Sequence, residues 1–152
     1  MKYYFENLEK QKQLKKILDE WIGTPFRHHC GVKSLGCDCI HFVARVLEEV
    51  GLLNWRKDLI ADYPRDWHLH NTRELLKEAI ERELDVEEVS LDSPMNGDII
   101  LSYYGKASSH SALYFDDHVY QAMDGIGVVK IHFSDRYFRR HMKFAYRIKV
   151  KS

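Results

Sequence analysis

The sequence has no long apolar run, no excess of charge of either sign and few cysteines or prolines. No segment approaches the ~20 consecutive apolar residues of a membrane helix, and residues 1–7 lack the apolar stretch of a secretory signal. Its 23 Lys and Arg residues balance 23 Asp and Glu residues, so neither nucleic acid nor a membrane is expected as a partner. We therefore expect cytoplasmic synthesis without a signal peptide, with release by lysis or packaging into a virion left open.

The three cysteines, Cys30, Cys37 and Cys39, lie within ten positions of one another. An odd, clustered set is a poor disulfide framework, so reduced thiols are expected. Zinc binding is one alternative, because soft and borderline metal ligands are dense here: His28, His29, Cys30, Cys37, Cys39 and His41. The spacing C-x6-C-x-C is not a paired C-x2-C knuckle, however, and no second cluster follows. We expect no metal and no cofactor.

Helical patterns occupy the first half of the chain and strand patterns the second. With 45% hydrophobic and 30% charged residues, the composition is that of an ordinary globular protein, and we expect one domain over 1–152. This order of elements predicts an α+β fold, with N-terminal helices packed on an antiparallel sheet of about five strands. Helices are predicted at 6–21, 38–50 and 71–84, and strands at 98–104, 110–115, 118–122, 128–133 and 144–150.

Cys39 is the candidate nucleophile. Asp38 is a plausible N-cap, which places Cys39 in the first turn of the second helix, where the peptide dipoles lower a thiol pKa. Cys39 is therefore expected to be the most acidic of the three thiols. Cys37 is expected in the preceding loop, and a lone cysteine is more often a small buried hydrophobe.

His110 and Gln121 are the candidate partners of Cys39. His110 begins a predicted strand directly after a polar turn, where an imidazole can accept the thiol proton and pass it to a leaving amine. Gln121 lies on the next strand, and its side-chain amide can orient the second ring nitrogen.

Five segments together resemble the NlpC-type cysteine peptidase family. Residues 23–27 (Gly-Thr-Pro-Phe-Arg) and 36–39 (Gly-Cys-Asp-Cys) resemble its G-x-P-[YF]-R and G-x-D-C motifs. Residues 96–100 (Asn-Gly-Asp-Ile-Ile) resemble P-G-D-[ILV], and 110–114 (His-Ser-Ala-Leu-Tyr) resemble H-[VAL]-[GA]-[IL]-Y. Residues 119–129 fall where the family has I-H-A followed by G-V-V.

The resemblance implies a papain-like fold and hydrolysis of amide bonds in peptidoglycan stem peptides, commonly the γ-D-glutamyl to diamino-acid bond. It implies Cys39, His110 and Gln121 as catalytic residues. The residues that it implies for substrate binding are Asp38, Phe26, Arg27 and Ser109. The opening motif, the doubled cysteine and residues 62–67 further resemble a branch encoded with phage tails and gene transfer agents, so phage-tail or particle proteins are candidate partners.

Three departures from the family pattern affect substrate specificity more than hydrolytic chemistry. The usual D-C-S-G is Asp-Cys-Ile-His at 38–41, so a serine that holds the substrate's free amine is absent. Phe26 replaces a frequent tyrosine, and Gln121 replaces the usual histidine. An inactive or structural relative that binds a partner remains an alternative, and the aromatic segment 55–67 fits a substrate wall, a docking surface or a core flap.

Overall fold

The computed structural model describes residues 1–56, 58–59, 74–105 and 108–151. Helix α1 (Leu8–Trp21) follows a 3-10 turn (Tyr4–Glu6) and is capped by Asn7, whose side chain accepts a hydrogen bond from Lys10 N at 3.1 Å. A short hairpin, β1 (Gly31–Val32) and β2 (Gly36–Cys37), then leads into α2 (Cys39–Glu49). No described helix is long and apolar enough to cross a membrane.

In the second half of the chain, the next described helix, α3 (Leu75–Glu83), is followed by one antiparallel sheet. Its strands are β3 (Val86–Val89), β4 (Ile99–Tyr103), β5 (Ser108–Phe115), β6 (His118–Met123), β7 (Gly127–His132) and β8 (Met142–Ile148). A short helix, α4 (Arg136–His141), lies between β7 and β8. The order across the sheet is β3-β8-β4-β5-β6-β7, and every neighbouring pair is antiparallel.

The two faces of the sheet are covered by different elements. On one face the apolar stripes of α1, α2 and α3 pack on the alternating buried residues of the sheet and form the main core. On the other face Phe133 and Phe138 pack on Ile100, Tyr114 and Val119 in a smaller cluster. The stripes follow the helical and two-residue periodicities of the sequence, because burial of apolar surface is the main favourable contribution to folding.

The α+β class and the antiparallel sheet are confirmed, but the sheet has six strands rather than about five. The additional strand is β3, which pairs with β8 at the edge. Its sequence, Val-Glu-Glu-Val, lacks the alternation that predicts a strand, so its pairing depends on β8. Cys37, expected in a loop, lies in β2. The expected helix start at 71–73 lies outside the described residues, and the single domain over 1–152 stays a prediction.

A buried ion pair fixes the turn that enters β4. Asp98 is 0% exposed, and its two oxygens accept bonds from Arg147 Nε at 3.0 Å and from its terminal nitrogen Nη2 at 2.9 Å. The same carboxylate accepts a bond from Met95 N. Gly97, at φ +93°, has no room for a side chain, since a Cβ would lie 2.1 Å from a Phe5 ring atom.

The loop after α1 is joined to β7 by two backbone hydrogen bonds. Gly23 N donates to Val128 O at 3.0 Å, and Val128 N donates to Thr24 O at 2.9 Å. Gly127, at φ +106°, permits this approach, because a Cβ there would lie 2.5 Å from Thr24 O. The loop that precedes the candidate nucleophile is therefore anchored to the edge of the sheet.

Replacing Asp98 by Ala should lower the free energy of unfolding by about 3–5 kcal/mol, since it leaves a largely buried guanidinium without its partner. Lys149→Ala is the matched control: this residue pairs with Asp85 at 3.4 Å in a half-exposed site, and its loss should cost less than about 1 kcal/mol. Urea denaturation measures both values, and equal costs would contradict a structural role for the buried pair.

Candidate active site

The carboxylate of Asp38 organises the start of α2. Its Oδ1 accepts a hydrogen bond from His41 N at 2.9 Å, the N-cap predicted from the sequence. Its Oδ2 accepts a bond from His29 N at 2.8 Å, across the loop before β1. Because the side chain is only 3% exposed, one carboxylate fixes both the helix end and the loop beside it.

Cys39 is the first residue of α2 and is half-buried. Its thiol donates a hydrogen bond to Ser109 O, with Sγ and O 3.6 Å apart. Burial raises the pKa of the Cys39 thiol to about 12, and the negative charge of Asp38 raises it further. The expectation that the helix dipole lowers the pKa of Cys39 is therefore wrong, because burial outweighs it. Burial raises the pKa of Cys37 to about 12 as well, and the ranking of Cys39 as the most acidic of the three thiols stays a prediction.

His110 and Gln121 are hydrogen-bonded across the sheet. Nε2 of His110 lies 2.6 Å from Oε1 of Gln121. Because an amide oxygen only accepts, Nε2 carries the proton and Nδ1 is the basic atom of the neutral ring. Gln121 is 2% exposed, so its side chain is fixed by packing. Burial lowers the pKa of His110, and the bond to Gln121 opposes that effect.

Strand β5 carries His110 and also holds the nucleophile helix in place. Ser111 Oγ donates a hydrogen bond to Cys39 O at 2.9 Å, in addition to the contact of the thiol with Ser109 O. Two consecutive contacts from residues next to His110 thus link β5 to the first residue of α2. The sequence places these residues 70 or more positions apart, and the fold brings them together.

The residues expected to bind substrate occupy different environments. Ser109 is half-buried and contacts the thiol through its carbonyl, whereas Arg27 is exposed with its aliphatic part over Gly36. Phe26 is partly buried against the main core. Asp38 uses both oxygens for backbone hydrogen bonds. Substrate contact therefore stays a prediction for all four residues. The role that the structure shows for Asp38 is that of N-cap of α2.

The cysteine and histidine cluster does not form a metal centre in the part of the chain that the structure describes. No three His, Cys, Asp or Glu side chains there converge on a common point. Cys37 is 0% exposed, Cys30 is half-buried, and all three thiols are free. The zinc alternative therefore has no geometric support among these residues.

An aromatic cluster beside His110 was not predicted from the sequence. The ring of Tyr104 lies edge-on to His110 with centroids 5.6 Å apart. His141 stacks on Tyr104 at 4.6 Å, and Tyr137 lies 6.0 Å from it. Burial raises the pKa of Tyr104 to about 12. The sequence gives only a weak indication of this cluster, because α4 is six residues long and Tyr104 directly follows strand β4.

The raised thiol pKa predicts how Cys39 reacts with iodoacetamide. In a Cys30→Ser variant, the alkylation rate should rise about tenfold per pH unit through the neutral and alkaline range, because the thiolate fraction is small at each pH. Mass spectrometry of peptides locates the modified residue, and Cys39→Ser in the same background is the control. Cys37, which is fully buried, should stay unmodified in the folded protein. A rate plateau at neutral pH would instead indicate a resting thiolate–imidazolium pair.

Several solved structures have similar folds. A Staphylococcus aureus protein described as similar to a lipoprotein of the NLP/P60 family has a TM-score of 0.66 and 19% identity, over 95% of this chain and 43% of that one. The NlpC/p60 domain of the peptidoglycan hydrolase SagA has a TM-score of 0.61 and 17% identity, over 89% and 96%. The peptidoglycan hydrolase RipB from Mycobacterium tuberculosis has 0.59 and 16%, over 95% and 67%.

The similarity is one of structure. No family model and no curated protein matches the sequence. The chain spans less than half the length of the Staphylococcus aureus protein and of a Bacillus cereus NlpC/P60 family protein, of which it covers 39%. A capped helix that begins with Cys39, packed on a strand that carries His110, thus lies within a chain that has the NlpC/P60 fold.

Proposed function

We propose that this protein is a cysteine hydrolase, an endopeptidase or amidase, that cleaves amide bonds in peptidoglycan stem peptides. The hydrogen bond between His110 Nε2 and Gln121 Oε1 carries the proposal, because it leaves Nδ1 as the base. The position of Cys39 at a helix start, next to the strand of His110, supports it. The fold it shares with proteins described as peptidoglycan hydrolases supports the substrate class.

The resting site holds a neutral thiol and a neutral imidazole, since the pKa of Cys39 is raised and that of His110 is lowered. As the sulfur bonds to the substrate carbonyl carbon, His110 Nδ1 takes the thiol proton. The imidazolium then gives that proton to the leaving amine as the C–N bond breaks, and a thioester remains on Cys39. Water adds its hydroxyl to the acyl carbon, and its other proton returns through His110 to the sulfur.

Two features of the site bear on this proton transfer, and the first of them disfavours a preformed ion pair. The Gln121 amide orients the ring without adding a negative charge, so it stabilises an imidazolium less than a carboxylate would. The positive end of the α2 dipole favours the developing negative charge on Cys39 and on the attacked carbonyl oxygen. Charge therefore develops during the attack on the substrate carbonyl and not in the resting site.

The γ-D-glutamyl to diamino-acid bond is the proposed scissile bond, on the strength of the motif resemblance. Ile40 and Phe26 stand where the family has a serine and a frequent tyrosine, so recognition of the free amine must use other groups. Association with a phage tail or related particle also stays a proposal, and it rests on sequence segments alone.

The direct test incubates the protein with purified peptidoglycan and identifies the fragments by mass spectrometry. The expected products are muropeptides that end at D-glutamate together with peptides that begin at the diamino acid. Cys39→Ala should release neither product, and His110→Ala should release them ~10²–10⁴-fold more slowly. Circular dichroism and the unfolding midpoint verify that both variants fold. Unchanged release by His110→Ala would refute the mechanism, and inactivity of the unmodified protein would favour a binding role.

Gln121 variants test the orienting role separately from the nucleophile. Gln121→Leu should lower kcat and leave KM nearly unchanged, because ring orientation matters in the transition state. Gln121→His should retain substantial activity, since a ring nitrogen can also accept a hydrogen bond from the N–H at Nε2 of His110. Steady-state kinetics on a soluble stem peptide measures both. Equal activity of the Leu variant and the unmodified protein would reduce the triad to Cys39 and His110.

A further inference from the structure

The first turn of α2, which begins with Cys39 and is called the nucleophile turn below, contains a histidine that the proposed reaction does not use. His41 follows Cys39 by two residues, and its backbone N–H is the one that Asp38 caps. Its side chain is only 1% exposed. A polar ring buried in the first turn of α2 requires partners, because an unpaired buried polar group costs free energy.

The hydrogen bonding of His41 fixes one neutral form of the ring. Trp55 Nε1 donates a hydrogen bond to His41 Nδ1 at 3.1 Å. Because an indole N–H only donates, Nδ1 must be unprotonated, and Nε2 carries the proton. That Nε2 is buried and has no hydrogen-bond partner in the part of the chain that the structure describes. Among these residues, the hydrogen bond from Trp55 is therefore the only one that the His41 ring makes.

Trp55 is itself held on α2 by several contacts. The guanidinium of Arg45 lies 3.6 Å from the centre of its ring, and Trp55 N donates to Glu48 Oε2 at 2.9 Å. Arg45 also donates to Gly31 O at 2.7 Å and pairs with Glu48 at 2.9 Å. A Cβ at Gly31 would lie 3.0 Å from His41 Cβ and 3.4 Å from Trp55 Nε1. The hairpin therefore packs closely over the bonded pair.

We propose that neutral His41 is a positioning residue that joins the nucleophile turn to Trp55, and that its protonation breaks this link and releases Trp55 from the turn. The proposal rests on the proposed function only in taking Cys39 as the nucleophile. It gives the site an acid-sensitive element separate from His110.

The charges around His41 oppose its protonation. Burial is the main cause of a lowered pKa for His41, and His29, Arg45 and His28 lower it further, while the carboxylate of Asp38 acts in the opposite direction. The ring of His29 stands perpendicular to His41 at 5.2 Å. Glu48, the other carboxylate of this cluster, is engaged by the Arg45 guanidinium. Neutral His41 is thus the form stable at neutral pH.

The pH dependence follows from the lowered pKa. An unfolded histidine titrates near pH 6.5, whereas folded His41 titrates at a lower pH. Between these two values the unfolded chain binds more protons, so the stability that His41 contributes is present above about pH 6.5 and is lost as pH falls. A protonated ring carries N–H groups on both nitrogens, and Nδ1 can then no longer accept from Trp55.

The experiment follows the indole N–H signals by NMR during a titration from neutral to acid pH. Trp55→Phe assigns the Trp55 signal by its loss. Trp21, whose indole donates to Glu49 at 2.7 Å, is an internal reference for global folding. The ratio of Trp55 to Trp21 hydrogen-exchange rates should rise roughly tenfold when the bond to His41 is lost. A constant ratio until the whole protein unfolds would overturn the proposal.

His41→Asn is the matched variant, because an amide oxygen can accept the indole hydrogen bond but does not titrate in this range. In this variant the exchange ratio should stay constant with pH. The free energy of unfolding should also decrease less steeply with falling pH in His41→Asn than in the unmodified protein. His132→Asn, which removes an exposed histidine of β7, is the control and should leave this pH dependence unchanged. A ratio that rises equally in His41→Asn would overturn the proposal.

The rate of Cys39 alkylation connects the link to the site without using hydrolase activity. Both proteins carry Cys30→Ser, and one of them also carries His41→Asn. The ratio of their alkylation rates should be constant at neutral pH. It should change severalfold in acid, where only the protein that keeps His41 releases Trp55. The proposed hydrolase activity can fail while this result stands, because no substrate is involved. An unchanged ratio throughout the titration would contradict a positioning role.

Discussion

The site depends on the two hydrogen bonds that the carboxylate of Asp38 accepts. This carboxylate satisfies the backbone N–H groups of His41 and His29, and so joins the first turn of α2 to the loop that surrounds it. The same negative charge raises the pKa of Cys39. The group that holds the nucleophile in place therefore also opposes its ionisation, and the chemistry requires a base that removes the proton during the reaction.

Local sequence signals predicted much of the fold. Helices α1 and α2 have apolar stripes with recognisable caps, and the bounds of these helices and of the five predicted strands were located to within about two residues. The predicted start of α3 lies outside the described residues, and α4 was not predicted. The sequence also predicted that Gln121 lies within hydrogen-bond reach of His110, and the 2.6 Å separation confirms this. That prediction succeeded because both residues begin or occupy clear neighbouring strands.

Features that arise only from tertiary contact were missed. Strand β3 has two glutamates between its valines, and only β8 makes it a strand. The thiol pKa of Cys39 was expected to fall because the helix dipole is readable from sequence, whereas burial against β5 is not. The contact between Tyr104 and His110 likewise depends on where α4 packs. Propensity and motif patterns carry no information on such desolvation.

The two hydrogen bonds between the 23–24 loop and Val128 have a consequence for self-association. An edge strand exposes unpaired backbone groups that can recruit another chain into an extended sheet. Here the outward N–H and C=O of Val128 are already engaged by the loop, and Lys130 and His132 stand exposed further along β7. Growth of a continuous intermolecular sheet from this edge is thereby blocked at its start and disfavoured beyond it by the exposed charge of Lys130.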